Sequence, residues 1–279
     1  MQHHKKCILL ALAGLLFLEG WAQKALFLAA GQSNAVGMGN VALSIQVPHG
    51  AAFEYKYEID SCVPLKDPVG ENRLNFQQAR SGSLWPSFAK SYYYLTNRQV
   101  VIVPTAMGGS SCSHKAETNS TWDSIGKRLL LDSAVKKSKA AEGLLKQKID
   151  GIIWLQGERD ANAIYEGKLT AEEYRLSLIS VINRFRSKLG YPVPFFIVLT
   201  GNQMDRPFLG NEAVRKMQED ISRDMAFVYI VYKKTKGFKQ RKLMKDKVHY
   251  NQDALNEIGK EAAKNIYNIQ RRKRSFPIQ

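Results

Sequence analysis

Residues 25–39 read ALFLAAGQSNAVGMG, an apolar run that stops at Gly31-Gln32-Ser33-Asn34 and meets two more glycines at Gly37 and Gly39. A run of this length closed by glycine predicts a strand covered on both faces, feeding a turn where a side chain would clash. Ser33 is then presented at the end of a rigid element. Glycine, serine and asparagine are also ordinary turn formers, so the tetrapeptide alone leaves a plain turn open. It is not the Gly-x-Ser-x-Gly elbow, because Ala35 stands where the second glycine would be. A nucleophilic Ser33 therefore needs a histidine and a carboxylate from elsewhere in the chain.

Working outward, apolar runs recur at Val100–Val103, Ile152–Leu155, Pro194–Leu199 and Ala226–Val231. Between them lie stretches with helical periodicity: Ser87 to Leu95, Ser124 to Lys148, Ala171 to Leu189 and Asn211 to Arg223, with a last helix over Asp253 to Ile266. In Ala171–Leu189, for example, Tyr174, Leu178, Ile182 and Phe185 share one face. This alternation predicts an α/β fold, a three-layer αβα sandwich around a five-stranded, mostly parallel sheet. Ala51 to Glu58 reads as a half-exposed strand or extended loop. Ser61 to Leu84 reads as a long irregular excursion that helps to wall a cleft. No repeat or linker interrupts the pattern, so one domain is expected over 23–268.

The ends of the chain read differently. Lys5 and Lys6, the apolar stretch Cys7 to Leu18 and the small residues Gly20 and Ala22 have the form of a signal peptide over 1–22, cleaved after Ala22. The stretch is short for a membrane span, so no stable membrane anchor is expected and the protein is expected to be secreted or periplasmic. Residues 269–279 form a basic tail containing Arg271-Arg272-Lys273-Arg274. The formal charge of the chain is +16, and a second cluster, Lys233 to Lys247, holds eight Lys or Arg. Such a balance attracts polyanions, yet no nucleic-acid motif is present and no nucleic-acid partner is expected. An oxidising compartment would permit Cys62 and Cys112 to pair.

Each polar motif falls just past an apolar run: Ser33 after the first, Gly108-Gly109 after the second, Gln156-Gly157-Glu158 after the third, and Asp246 with His249 after the fifth. Ligands of open α/β sheets bind at the carboxyl edge of the strands, so one edge would gather all four. The Asp246-x-x-His249 spacing lets one turn set a carboxylate beside Nδ1 and leave Nε2 facing Ser33. His114, close to Gly109, is the rival base; His3, His4 and His49 compete poorly. The backbone N–H groups of Ser33 and Gly109 and the side-chain amide of Gln156 are candidates for an oxyanion hole. Gln32, Asn34, Glu158 and His114 are candidates for supporting or substrate-binding roles. Glu158 and Asp160 also admit a glycosidase acid/base pair, a reading that leaves the serine motif unexplained. Nothing resembles a metal site or a phosphate loop, and no cofactor is expected.

Taken together, Gly31-Gln32-Ser33-Asn34, Gly108-Gly109-Ser110, Trp154 to Asp160 and Asp246 to His249 resemble the ordered blocks of the SGNH hydrolases. Within them they resemble the branch of sialate O-acetylesterases and the acetylxylan esterases of carbohydrate esterase family six. The resemblance runs from Ala25 to Tyr267. It implies a flavodoxin-like fold and metal-free hydrolysis of O-acetyl esters on sugars, from sialic acid to plant-type polysaccharide. Carried over by position, Ser33 is nucleophile, His249 base and Asp246 its partner, with Gly109 and Gln156 in the oxyanion hole. A lipid or thioester hydrolase of the same fold and a non-catalytic glycan-binding protein remain the alternatives.

Overall fold

The computed structural model describes residues 24–275; the expected signal peptide lies outside them. Strand β1 (Ala25–Gly31) is fully buried along its length, and its side chains divide between two cores. Leu26, Leu28 and Ala30 face one layer of helices, and Ala25, Phe27 and Ala29 the other. That two-sided burial explains why the strand reads as a continuous apolar run rather than an alternating one.

Around β1 are β2 (Ala52–Lys56), β3 (Ser61–Pro64), β4 (Val100–Ala106), β5 (Gly151–Leu155), β6 (Phe195–Val198) and β7 (Val228–Tyr232). The sheet has seven strands in the order β3-β2-β4-β1-β5-β6-β7, not the five expected, and only β2 and β3 run antiparallel. The two additional strands form one edge of the sheet. β3 was hidden in the excursion because an edge strand exposed on both faces carries no apolar run.

One face of the sheet carries α3 (Leu131–Leu145), α4 (Glu158–Tyr165), α5 (Ala171–Leu189) and α6 (Leu209–Asp224). The other carries α2 (Trp85–Thr96) and α7 (Gln252–Ser275), with the four-residue α1 (Ser33–Val36) at the end of β1. The layers interlock through aromatic residues. Phe27 sits edge-on to Phe88 at 5.2 Å and Tyr92 at 5.1 Å, while Trp154 meets Trp122 at 5.1 Å on the opposite face. Full burial of one such ring contributes roughly 1.5–3 kcal/mol.

Two expectations are corrected, and one open question, the pairing of the cysteines, is answered. The helix expected from Ser124 begins at Leu131, because the Glu117 carboxylate takes the N–H groups of Lys127 and Arg128 and Thr121 pairs with the backbone on both sides. The last helix passes Ile266 and continues to Ser275. Cys62 and Cys112 are free thiols, Cys62 on the edge strand β3 and Cys112 buried with its N–H bonded to Asp160 beyond β5. Among the described residues no helix is long and apolar enough to cross a membrane.

Candidate active site

The chain leaves β1 to build the sheet on one side through β4, then crosses to the other side through β5, so the ends of β4, β1 and β5 lie together at a topological switch point. Gly31 makes the turn possible. Its φ is +143°, and a Cβ there would lie 2.1 Å from the Leu155 carbonyl oxygen. The next residue, Gln32, donates its N–H to that same oxygen at 2.9 Å, and α1 then starts at Ser33.

Ser33 Oγ lies 3.0 Å from His249 Nε2, and His249 Nδ1 lies 2.8 Å from Asp246 Oδ2. The other Asp246 oxygen accepts the N–H groups of Val248 and His249 at 2.9 and 2.8 Å. Burial works against the Asp246 charge, but these donors and the imidazole outweigh it and hold the carboxyl below its usual range. One turn thus fixes the carboxylate, the ring tautomer and the ring direction.

Asn34 ties this loop to the β1 turn. Its Nδ2 donates to Glu158 Oε1 at 2.8 Å and to the Val248 carbonyl at 3.3 Å, while its Oδ1 accepts the Tyr250 N–H at 3.1 Å. Residues on either side of His249 are therefore anchored to the residue after Ser33. Glu158 is buried, which pushes its carboxyl above the usual range despite the Asn34 bond, and its Oε2 has no hydrogen-bond partner.

Ser33 opens into a pocket of about 530 Å³, within the usual range of ligand sites. Most of its lining residues are polar or charged, including Gln77, Arg80, Asn119, Arg159, Asn162 and Gln203, with Met38, Met107 and Val248 as apolar members. The excursion reaches the site: Gln77 Oε1 accepts the Gly108 N–H at 3.2 Å, and Arg80 lines the rim. Among the described residues, no acceptor takes the N–H of Ser33 or of Gly109. Gly108 brings the loop close, since a Cβ there would be 3.9 Å from Ser33 Cβ.

The structure brings together Gln32, Ser33, Gly109, Glu158 and His249 around the pocket, with Asn34 and Asp246 bonded to them. Gln156 lies behind the pocket, against Gln32, and neither it nor His114 is in the lining. The Gln156 Nε2 donates to Asp160 Oδ2 at 2.5 Å, to the Ser110 carbonyl at 3.2 Å and to Gln32 Oε1 at 3.4 Å, with the residue 1% exposed. An amide so engaged has no hydrogen left for an oxyanion. His114 instead pairs its Nδ1 with Asp123 Oδ2 at 2.9 Å on an exposed loop. Asn119 escaped the sequence reading. Its Nδ2 is 3.6 Å from where a Gly109 Cβ would stand, and it lines the pocket.

A serine, an imidazole and a carboxylate stand in line at the carboxyl edge of a mostly parallel sheet, beside unbonded N–H groups, an arrangement suited to acyl transfer. The chain belongs to the family described as carbohydrate esterase, sialic acid-specific acetylesterase, whose match covers residues 23–268. A solved Arabidopsis thaliana protein is similar in fold at 20% identity and TM-score 0.69, over 88% of this chain and 98% of that one. NanS is similar at 16% identity and TM-score 0.64, over 90% and 98% of the two chains. A carbohydrate acetylesterase from Xanthomonas citri is similar at 17% identity and TM-score 0.52, over 88% of this chain and 56% of that one. A search of curated protein sequences gave no match.

Proposed function

We propose that the protein is a serine esterase that removes O-acetyl groups from carbohydrates through an acetyl-enzyme. The observation that carries this reading is the alignment of Ser33 Oγ, His249 Nε2 and Asp246 in an open, polar pocket.

The steps follow from the geometry. Ser33 Oγ attacks the acetyl carbonyl as His249 Nε2 takes its proton, and Asp246 stabilises the imidazolium through Nδ1. The tetrahedral oxyanion receives the N–H groups of Ser33 and Gly109, with the Asn119 amide as third donor in place of Gln156. Collapse breaks the bond to the sugar oxygen, which takes the proton from His249. Water, deprotonated by the same imidazole, then attacks the acetyl-serine carbonyl and releases acetate with Ser33 restored.

The lining favours a short acyl group on a polar alcohol. A lipid hydrolase needs an apolar channel for its acyl chain, and only Met38, Met107 and Val248 are apolar here. The glycan-binding alternative leaves the Ser33–His249 bond without purpose. Acetate release from a panel of acetylated sugars, including acetylated sialic acid and xylan, tests the reading against Ser33→Ala. Release that is abolished in a folded variant supports it. Equal release by both proteins, or hydrolysis confined to long-chain esters, refutes it. Export belongs to the same proposal and is read by N-terminal sequencing of the secreted protein, with Gln23 as the expected first residue.

A further inference from the structure

A second concavity, of about 830 Å³, is lined by Leu199, at one end of a segment whose other end, Gln203, lines the Ser33 pocket. Its floor is Leu199, and its walls come from α6 and from the basic loop after β7. Arg215 is only 8% exposed, yet it makes no ion pair among the described residues. Its Nη1 is held by two neutral acceptors, the Thr200 carbonyl at 3.1 Å and Asn202 Oδ1 at 2.7 Å. Burial lowers its pKa, and the Glu212 and Glu219 carboxylates in the same cleft offset part of that without pairing with it. A fixed guanidinium without a counter-charge is costly to maintain and suited to receive an anion.

The surroundings extend that charge. Lys233, Lys234 and Lys236 line the same cleft and make no ion pair among the described residues. Lys216 and Arg241 are neutralised by Asp220 and Glu257. Three carboxylates, Glu212, Glu219 and Glu257, also face the cleft, so it offers acceptors as well as donors. This mixture suits a chain that carries hydroxyls between its anionic groups better than a continuous polyphosphate.

We infer that this cleft binds the anionic units of an acidic oligosaccharide whose acetylated unit occupies the Ser33 pocket. The choice of a carbohydrate over other polyanions rests on the esterase reading above. Two features couple the sites. Leu199 lines one and Gln203 the other, and four residues of extended chain span at most about 14 Å. Asn202, between them, binds Arg215 through Oδ1 and the Lys236 carbonyl through Nδ2 at 3.2 Å.

The test is calorimetric titration of the Ser33→Ala protein with a de-esterified oligouronate, a neutral xylo-oligosaccharide of equal length, and inorganic phosphate. The oligouronate is expected to bind, to weaken as salt is raised, and to lose about tenfold or more in affinity in K233E/K234E/K236E, whose substitutions are all on exposed side chains. Arg215→Lys, which keeps charge but loses the fork, should weaken it as well. Equal binding of the neutral oligomer, an affinity unmoved by the triple substitution, or inorganic phosphate binding as tightly as the sugar would each overturn the inference. Acetate release from neutral sugar esters by the unsubstituted protein reports on Ser33 alone, so the failure of either reading is visible without the other.

Discussion

Two clusters of buried charge lie at different places in this sheet, and they are satisfied in opposite ways. Near the β2–β3 edge, Lys137 is 1% exposed and bonded to Glu71 at 2.7 Å, and Glu54 is bonded to Lys56 at 3.0 Å. Beside Ser33, Glu158 and Asp160 are as deeply buried but are met by amides: Asn34 for Glu158, and Gln156 with the Cys112 and Ser113 N–H groups for Asp160. Burial pushes Asp160 up to about 6 and raises Glu158, and it raises Glu54 as well despite Lys56; only at Glu71 do the Lys137 ammonium and two backbone N–H groups overcome burial and lower the carboxyl. Carboxylates facing cations brace the fold; carboxylates facing amides hold the turn, the loop and the helix around the Ser33 pocket. Only the second arrangement leaves a carboxylate oxygen, Glu158 Oε2, buried without a hydrogen-bond partner.

Substitution should separate the two clusters. The largest effect is expected at Ser33→Ala, with a loss of about 10⁴-fold or more in kcat and little change in the unfolding midpoint. A variant retaining near-normal turnover would remove the serine from the mechanism. Next is Lys137→Met, which strands the Glu71 charge and should cost about 3–5 kcal/mol in urea unfolding. K137M/E71Q should recover part of that loss, and neither should change the kcat of the folded fraction. A kcat that falls with Lys137→Met would merge the two clusters into one.

Asp160 makes a pH-dependent prediction. Its folded value of about 6 lies above an unfolded value of about 3.9, so the proton-bound form favours the fold. That contribution is fully present below about pH 4 and is lost as pH rises through about 6. Asp160→Asn removes the titration. The stability of the unsubstituted protein relative to this variant should therefore fall by about 3 kcal/mol as the pH is raised across that window. A constant difference between the two proteins' stabilities would mean that folding does not raise the Asp160 pKa. The smallest effect is at Asn34→Ala, which frees the Val248–Tyr250 segment. About 1–3 kcal/mol of stability and on the order of tenfold in kcat should be lost, since buried Glu158 is left without its donor.

The contrast also explains what the sequence disclosed. β1 and the strands β4 to β6 were legible because central strands are buried on both faces and show as unbroken apolar runs, and the edge strand β7 was legible because its half-buried Tyr229 and Ile230 are apolar too. The α5 helix was legible to the residue, because Thr170 and Glu173 form a capping box and Gly190 ends it. β3 was not legible, having no apolar run, and α4 was masked by the motif that opens it. A glycine followed by Glu158 and Asp160 is itself a helix-start signal. The Asp246–His249 turn was readable because it is local. The direction of the Gln156 amide was not readable, because Asp160, four residues on, takes it, which spacing alone hints at but does not orient. Asn119 reaches Gly109 through an irregular segment, and no periodicity marks it.

The acetyl-enzyme is the claim on which the mechanism stands, and it can be caught. The protein is mixed with p-nitrophenyl acetate, quenched in acid within the first turnovers and digested for peptide mass spectrometry. Acetyl on Ser33, and none in Ser33→Ala, is the predicted result. Acetyl accumulating on another residue, or acetate released while Ser33→Ala turns over normally, would contradict it.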